Sequence, residues 1–192
     1  MNTDYTDSAN WRIHPCNLRI YLSSICVLSV IMIILGIDPG TAALGYGLIA
    51  TQKGRMECLA FGCVTTQKDV PAPGRLQLLY EKLTELIKKY KPDAIAVEEL
   101  FFFKNQKTAI TVAQARGVTL LAAANNKISV CEFTPLQVKQ AGSGFGRAEK
   151  QQVQKMVKAL LGLKEVPGSD DAADALAIAI CAANSQKIPA GY

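Results

Sequence analysis

Two short apolar segments, each ending in an acidic residue, place the strongest constraint on the fold of this chain. The first is Ile33–Asp38, which runs into the turn residues Pro39-Gly40, and the second is Ala94–Glu98. Both have the length and composition of β-strands. Two further strands, 44–50 and 57–65, lie between them, and the connecting turns are so short that the first three strands are predicted to be antiparallel.

Helices and one more strand follow in alternation. The predicted elements are helices over 75–90, about 108–125, 149–161 and 170–183, a strand over 128–133, and a flexible loop at Gly142, Gly144 and Gly146. Thr134-Pro135 followed by Gln137 is typical of a helix start, and Ser169 is a suitable cap for the last helix, which is apolar almost all round and therefore buried. This order predicts a mixed α/β sheet flanked by helices, with three antiparallel strands followed by parallel strands.

The last predicted helix adds two carboxylates to those of Asp38 and Glu98. Asp171 and Asp174 are three residues apart and therefore share one helix face. Sites in such sheets form beyond the strand ends, where a buried helix can bring its acids against theirs. A buried carboxylate costs several kcal/mol unless it is paired or binds a metal. Oxygen-only ligation suits Mg²⁺ or Mn²⁺, which serve phosphate chemistry.

Each acid also has a simpler structural explanation. Asp38 fits a turn, Asp171 complements a helix dipole, and Glu98 can be an exposed strand end. Neighbouring acids leave the assignment open, because Glu99 follows Glu98 directly and Asp170 shares a helix face with Asp174 as readily as Asp171 does.

Composition excludes several other kinds of site. The only histidine, His14, lies far upstream, so the body of the chain cannot build a Ser-His-Asp triad, a Cys-His pair or a His-based zinc site. The six cysteines show no CxxC spacing and are predicted to be reduced and buried, as in a cytosolic protein. The net charge of +5 belongs entirely to residues 32–192, which fits a polyanionic partner, although solvated surface lysines explain it equally well.

The beginning of the chain contains an apolar run that conflicts with the first strand. Leu18–Ile37 is twenty residues long and alone passes as a transmembrane or signal-anchor segment. Its second half, however, is the strand that ends in Asp38, and Met32 stands just before that strand. We therefore predict a non-native or disordered extension over 1–31, one domain over 32–184 and a short tail over 185–192. A genuine membrane anchor is the alternative.

Six segments, taken together, resemble the RuvC family of bacterial Holliday-junction resolvases, within the RNase H-like superfamily. They are ILGIDPGTAALGYG at 34–47, AVEELF at 96–101, QARG at 114–117, QVKQ at 137–140, AEKQQVQ at 148–154 and DAADALAIAI at 171–180. They occur in the family's order and spacing, and the resemblance covers about residues 32–184. Residues 1–31 match nothing in the family.

The resemblance implies a structure-selective endonuclease that resolves four-way DNA junctions by paired symmetric nicks, in recombination and DNA repair. It implies an RNase H-like sheet, a cytoplasmic homodimer, and partnership with the branch-migration proteins RuvA and RuvB. Two Mg²⁺ ions per subunit, for which Mn²⁺ can substitute, would activate a water and stabilise the leaving 3′ oxygen. The acids implied as catalytic metal ligands are Asp38, Glu98, Asp171 and Asp174, with Glu99 and Asp170 as neighbours. This is the all-carboxylate version of a set in which some family members carry His.

The resemblance also implies DNA contacts. Lys139 and Lys150 occupy family positions linked to DNA binding and catalysis, and Phe101 matches an aromatic residue thought to stack on a base. Core packing is the simpler explanation for Phe101. Further candidates for phosphate contacts are Lys104, Lys107, Arg116 and Arg147, for each of which a solvated surface position is the alternative.

Two other functions compete with the nuclease. Gly36–Thr41 also resembles the first phosphate loop of the actin and Hsp70 ATPase fold, but that fold needs two such halves and this chain has one. A non-catalytic junction-binding protein with structural acids is the second alternative.

Overall fold

A computed structural model describes residues 31–99, 106–143, 150–165 and 167–185. Its elements, in chain order, are β1 (Met32–Asp38), β2 (Ala43–Gln52), β3 (Arg55–Thr65), α1 (Ala72–Tyr90), β4 (Ala94–Glu98), α2 (Gln106–Asn125), β5 (Ser129–Phe133), α3 (Pro135–Ser143), α4 (Lys150–Leu161) and α5 (Asp170–Asn184). The strands form one sheet in the order β3-β2-β1-β4-β5.

The sheet is mixed, as the turn lengths predict. The pairs β1–β2 and β2–β3 are antiparallel, whereas β1–β4 and β4–β5 are parallel. In the parallel pair, Gly36 lies beside Ala96 and Ile37 beside Val97. The C-terminal ends of β1 and β4 therefore meet at the same edge of the sheet.

Helices cover both faces of the sheet, and strand alternation decides which side chains each face receives. Ile34, Ala96 and Phe133 pack with α3, α4 and α5 in one buried cluster. Leu35, Ile95 and Val97 pack with α1 and α2 in a second cluster on the opposite face. The strands are thus buried on both sides, which explains their near-continuous apolar runs.

Three glycines of β1 and β2 allow α5 to lie very close to the sheet. A Cβ atom added at Gly45 would stand 2.0 Å from the carbonyl oxygen of Asp171, and one at Gly36 would stand 2.1 Å from that of Ala175. A Cβ atom at Gly47 would meet the Leu176 side chain at 2.7 Å. No larger residue fits these positions unless α5 moves. The first turns of α5 are therefore fixed against the two strands.

Local capping signals are confirmed. The Thr134 backbone N–H donates to Gln137 Oε1 at 2.8 Å, and the Gln137 N–H donates to Thr134 Oγ1 at 3.2 Å, which together form a capping box. Ser169 Oγ accepts from the Ala172 N–H at 3.2 Å and caps α5. The prediction of a flexible loop is wrong at Gly142, because α3 continues through this residue to Ser143.

The apolar run at 18–37 overlaps β1 over its second half, where Met32–Asp38 pairs with strands on both sides. Within the described ranges, no helix is both long and apolar enough to cross a membrane. The predicted extension at 1–31, apart from Ile31, and the tail, apart from Ser185, lie outside the described residues.

Candidate active site

Asp38 and Glu98 are the last residues of two adjacent parallel strands. Ile37 pairs with Val97, and continuing this register by one residue places Asp38 beside Glu98. Side chains along a strand alternate between the two faces of the sheet. Asp38 and Glu98 each come two residues after one that faces α5, Gly36 in β1 and Ala96 in β4, so both carboxylates lie on the α5 side of the sheet. Both residues are half-buried.

The first turns of α5 bring the other two acids to the same edge. Asp38 is paired with Gly45 across β1 and β2, and Gly45 is the glycine on which the backbone of Asp171 rests. Asp174 follows one turn later on the same helix face and is also half-buried. The N-terminus of a helix carries partial positive charge, which favours acids in its first turn.

Glu98 and Asp174 are close enough to affect each other electrostatically. Burial raises the pKa of Glu98 above its ordinary value of 4.5, the negative charge of Asp174 raises it further, and the nearby Lys139 ammonium opposes the rise. The structure therefore places two carboxylates, one from β4 and one from α5, where their repulsion is only partly offset.

Asp171 has a partner that sequence reasoning missed. Cys63, on β3 opposite Gly45, donates its thiol hydrogen bond to Asp171 Oδ2 at 3.7 Å. Burial, the charge and hydrogen bond of Asp171, and the charge of Asp38 raise the pKa of the Cys63 thiol to about 11, against a smaller lowering by Ser169. The prediction of buried cysteines is right for Cys58, Cys131 and Cys181, but Cys63 is half-buried and faces the carboxylates. No local sequence signal marks it, because only strand pairing brings it there.

Glu99 and Asp170, the acids that the sequence left as alternatives to Glu98 and Asp171, have different surroundings from those two residues. Asp170 is exposed and accepts a hydrogen bond from the Gln154 amide of α4 at 2.7 Å. Glu99 lies beyond the end of β4, and its backbone N–H donates to the Phe133 carbonyl at 2.8 Å. Asp171, by contrast, contacts Cys63 and lies over Gly45.

The four acids suit a divalent cation in donor type and in charge. They supply only hard oxygen ligands, and the repulsion between Glu98 and Asp174 is of the kind that a cation relieves. Glu98 and Asp174 affect each other, and Asp38 and Asp171 both affect the Cys63 thiol. Across the described ranges, no three Asp, Glu, His or Cys side chains converge closely enough to hold a metal ion as they stand.

The structure describes the side chains of two of the predicted DNA contacts, Lys139 and Arg116. Lys139 is exposed on α3, on the Glu98 side. Arg116 of α2 forms an ion pair with Glu132 of β5 and is largely buried, so its guanidinium is already engaged within the fold. Lys107 is the second residue of α2 and Lys150 is the first of α4, but the side chains of both lie outside the description. Phe101, Lys104 and Arg147 also lie outside the described residues.

A five-stranded mixed sheet with acids at the edge where β1, β4 and α5 meet defines an α/β protein of the RNase H-like class. The solved structure of the yeast mitochondrial Holliday junction resolvase Ydc2 shares this fold, with a TM-score of 0.55 at 15% identity over 78% of each chain. The structure of Thermus thermophilus RuvC in complex with a Holliday junction substrate matches with a TM-score of 0.74 at 39% identity, over 78% of this chain and 92% of that one.

Sequence comparison identifies the family within that class. The family model described as crossover junction endodeoxyribonuclease RuvC matches residues 34–182. A crossover junction endodeoxyribonuclease RuvC from Desulforamulus reducens is 58% identical over 150 residues, which cover 78% of this chain and 92% of the relative. The chain belongs to the RuvC family. That membership favours the nuclease over the ATPase-like and non-catalytic alternatives.

Proposed function

We propose that this protein is a metal-dependent endonuclease that resolves four-way DNA junctions by paired, symmetric nicks in opposed strands. The observation that carries the proposal is the meeting of Glu98 from β4 with Asp174 from α5, beside the strand end that bears Asp38. Family membership supplies the reaction and the substrate class.

Asp38, Glu98, Asp171 and Asp174 are the residues that would hold the metal, two Mg²⁺ or Mn²⁺ ions per subunit. Bound there, the ions would supply an activated water and charge stabilisation for the leaving oxygen of an in-line displacement. The protein's own part is placement. The strand register fixes the positions of Asp38 and Glu98. The close packing of α5 on Gly45 fixes Asp171, and the Cys63 thiol restrains one oxygen of Asp171.

Neutral substitutions of the four acids test this proposal against adjacent acids that serve as controls. Asp38→Asn, Glu98→Gln, Asp171→Asn and Asp174→Asn are expected to abolish Mg²⁺-dependent nicking of a synthetic four-way junction while junction binding is retained. Asp170→Asn and Glu99→Gln, which remove charges one residue away, should cleave within about threefold of wild type, because neither acid touches the reacting atoms. Retained cleavage in two of the four variants would contradict the four-carboxylate site.

A homodimer follows from the symmetry of the substrate, because a four-way junction is nearly two-fold symmetric and needs two opposed sites. Helix α2 offers a face for a second copy of the chain. Ile110 is 69% exposed and Leu121 is 54% exposed, and Gly117 lies between them on the same helix face with open space around it. An uncharged face of this kind fits an identical helix related by a two-fold axis.

The oligomeric state can be measured by light scattering after size exclusion. Leu121→Glu is expected to shift the protein from dimer to monomer, because two like charges would be brought together on the dyad. Leu160→Glu on α4, which changes an exposed leucine of similar accessibility (42%), is the control and should leave the dimer intact. A dimer that survives Leu121→Glu would place the interface elsewhere.

The remaining partners follow from the family resemblance. Lys139, Lys150 and Phe101 are proposed as DNA contacts, and RuvA and RuvB as protein partners of a cytoplasmic enzyme. Co-sedimentation with a RuvA–RuvB–junction complex, against junction alone, tests the partnership.

The domain is proposed to span residues 32–184. A protein beginning at Met32 should then cleave junctions at the rate of the full chain. If only the full chain is active, and only in a membrane fraction, the anchor alternative is correct.

A further inference from the structure

The turn that follows Asp38 is held by one threonine outside it. The Thr66 backbone N–H donates to the Ala42 carbonyl at 3.0 Å, and Thr66 Oγ1 donates to the Thr41 carbonyl at 2.6 Å. The turn itself is tight, because a Cβ atom added at Gly40 would stand 2.3 Å from the Ala43 carbonyl oxygen. Two hydrogen bonds from one residue therefore fix the backbone between Asp38 and β2.

Arg75, in the first turns of α1, fixes the orientation of that threonine. Its Nε donates to Thr66 Oγ1 at 2.7 Å. A guanidinium only donates and a carbonyl only accepts, so the hydroxyl must accept from Arg75 and give its proton to Thr41. Thr66 is 9% exposed, which limits competition from water. The two hydrogen bonds therefore run in one donor-to-acceptor direction, from Arg75 to Thr66 and from Thr66 to Thr41.

This network ends on the turn that starts at Asp38. We propose that Arg75 and Thr66 are positioning residues that hold the Asp38 carboxylate in place for metal binding, acting through the backbone of that turn. The inference rests on the proposed function, since it assumes that Asp38 is a metal ligand.

Substitutions of the two residues separate positioning from simple stability. Thr66→Val keeps the shape and removes the hydroxyl, whereas Thr66→Ser keeps the hydroxyl. Arg75→Gln removes the charge and the Nε donor. The matched controls are Thr119→Val, which removes a fully buried hydroxyl that donates to the Ala115 carbonyl of α2, and Arg55→Gln, which removes an exposed arginine at the start of β3.

Two readouts are needed. The first is Mn²⁺ affinity in the absence of DNA, measured by electron paramagnetic resonance, and the second is the single-turnover cleavage rate of a pre-bound junction. Thr66→Val and Arg75→Gln are expected to lower both by roughly tenfold or more, as is usual when the support of a metal ligand is removed. Thr66→Ser should restore both to within about twofold of wild type, and neither control should change them.

Several outcomes would overturn the proposal. Equal Mn²⁺ affinity in wild type, Thr66→Val and Arg75→Gln would remove the positioning role while leaving the nuclease intact. An equal loss in Thr119→Val would reduce the effect to general stability. If Arg75→Gln alone lowered the salt slope of junction binding by about 0.9, Arg75 would instead be a phosphate contact. Failure of the wild-type protein to nick the junction would refute the proposed function itself.

Discussion

Replacing Gly45 by alanine tests whether the close packing of α5 on this glycine determines the position of Asp171. The added methyl would stand 2.0 Å from the Asp171 carbonyl oxygen, whereas ordinary contact begins at 3.4 Å. Because that oxygen belongs to helical backbone and cannot rotate away, α5 or β2 must move by about 1.4 Å. Overpacking of this kind typically costs about 1–3 kcal/mol.

The expected result of Gly45→Ala has two parts. A loss of about 1–3 kcal/mol corresponds to a fall of about 2–12 °C in melting temperature for a chain of this size. Displacing Asp171 by about an ångström should slow single-turnover junction cleavage on the order of a hundredfold. Thermal unfolding by circular dichroism and a cleavage assay below the melting temperature of the variant measure the two effects separately.

Gly74→Ala is the control for this prediction. It lies in α1, where the nearest atom to an added Cβ is a Val70 methyl carbon at 3.1 Å, and alanine favours a helix by about 1 kcal/mol over glycine. The control should be neutral or more stable and fully active. A Gly45→Ala protein with unchanged melting temperature and cleavage rate would show that α5 does not rest on Gly45.

Three other predictions concern Glu98, the lysines Lys139 and Lys150, and Phe101. Because burial and Asp174 raise the pKa of Glu98, the folded state holds the Glu98 proton more tightly than the unfolded state, and stability falls as pH rises through that pKa. Glu98→Gln should therefore melt at a higher temperature than wild type at pH 8 without metal, and the difference should vanish below about pH 4 in a melting series. Lys139→Ala and Lys150→Ala should each slow cleavage and lower the salt slope of junction binding by roughly 0.9, and unchanged values would make them surface lysines. Phe101→Ala should impair cleavage more than stability if the ring stacks on a base, whereas a stability loss of about 3–5 kcal/mol in urea unfolding would assign it to the core.

The elements that could be predicted from the sequence are those determined by local chemistry. The strands that end in Asp38 and Glu98 are apolar runs followed by turn or polar residues, and the capping box at Thr134 depends on residues three apart. The mixed sheet follows from the contrast between short turns and long crossovers. The placement of α5 on the strand ends follows from its apolar composition, because such a helix must be buried.

What the sequence did not reveal depends on strand register and helix packing. Cys63 reaches Asp171 only because β3 pairs with β2 so that Cys63 lies opposite Gly45. Asp170 and Asp171 are equivalent by spacing alone, and the contact of Asp170 with Gln154 distinguishes them. These are contacts between residues 16 to 108 positions apart, which no local pattern encodes.

The position of α5 in the chain has a consequence for when the protein can act. The ribosome makes β1, β2 and β4 first, and the helix that carries Asp171 and Asp174 is the last of the described elements to emerge. Until then the sheet face beneath it is bare and only half of the carboxylates exist. If the four acids are the metal ligands, as we propose, a nascent chain or one cut before residue 170 lacks two of them and is expected not to nick DNA. On that proposal, the capacity to cleave would arise only once α5 has packed onto the sheet.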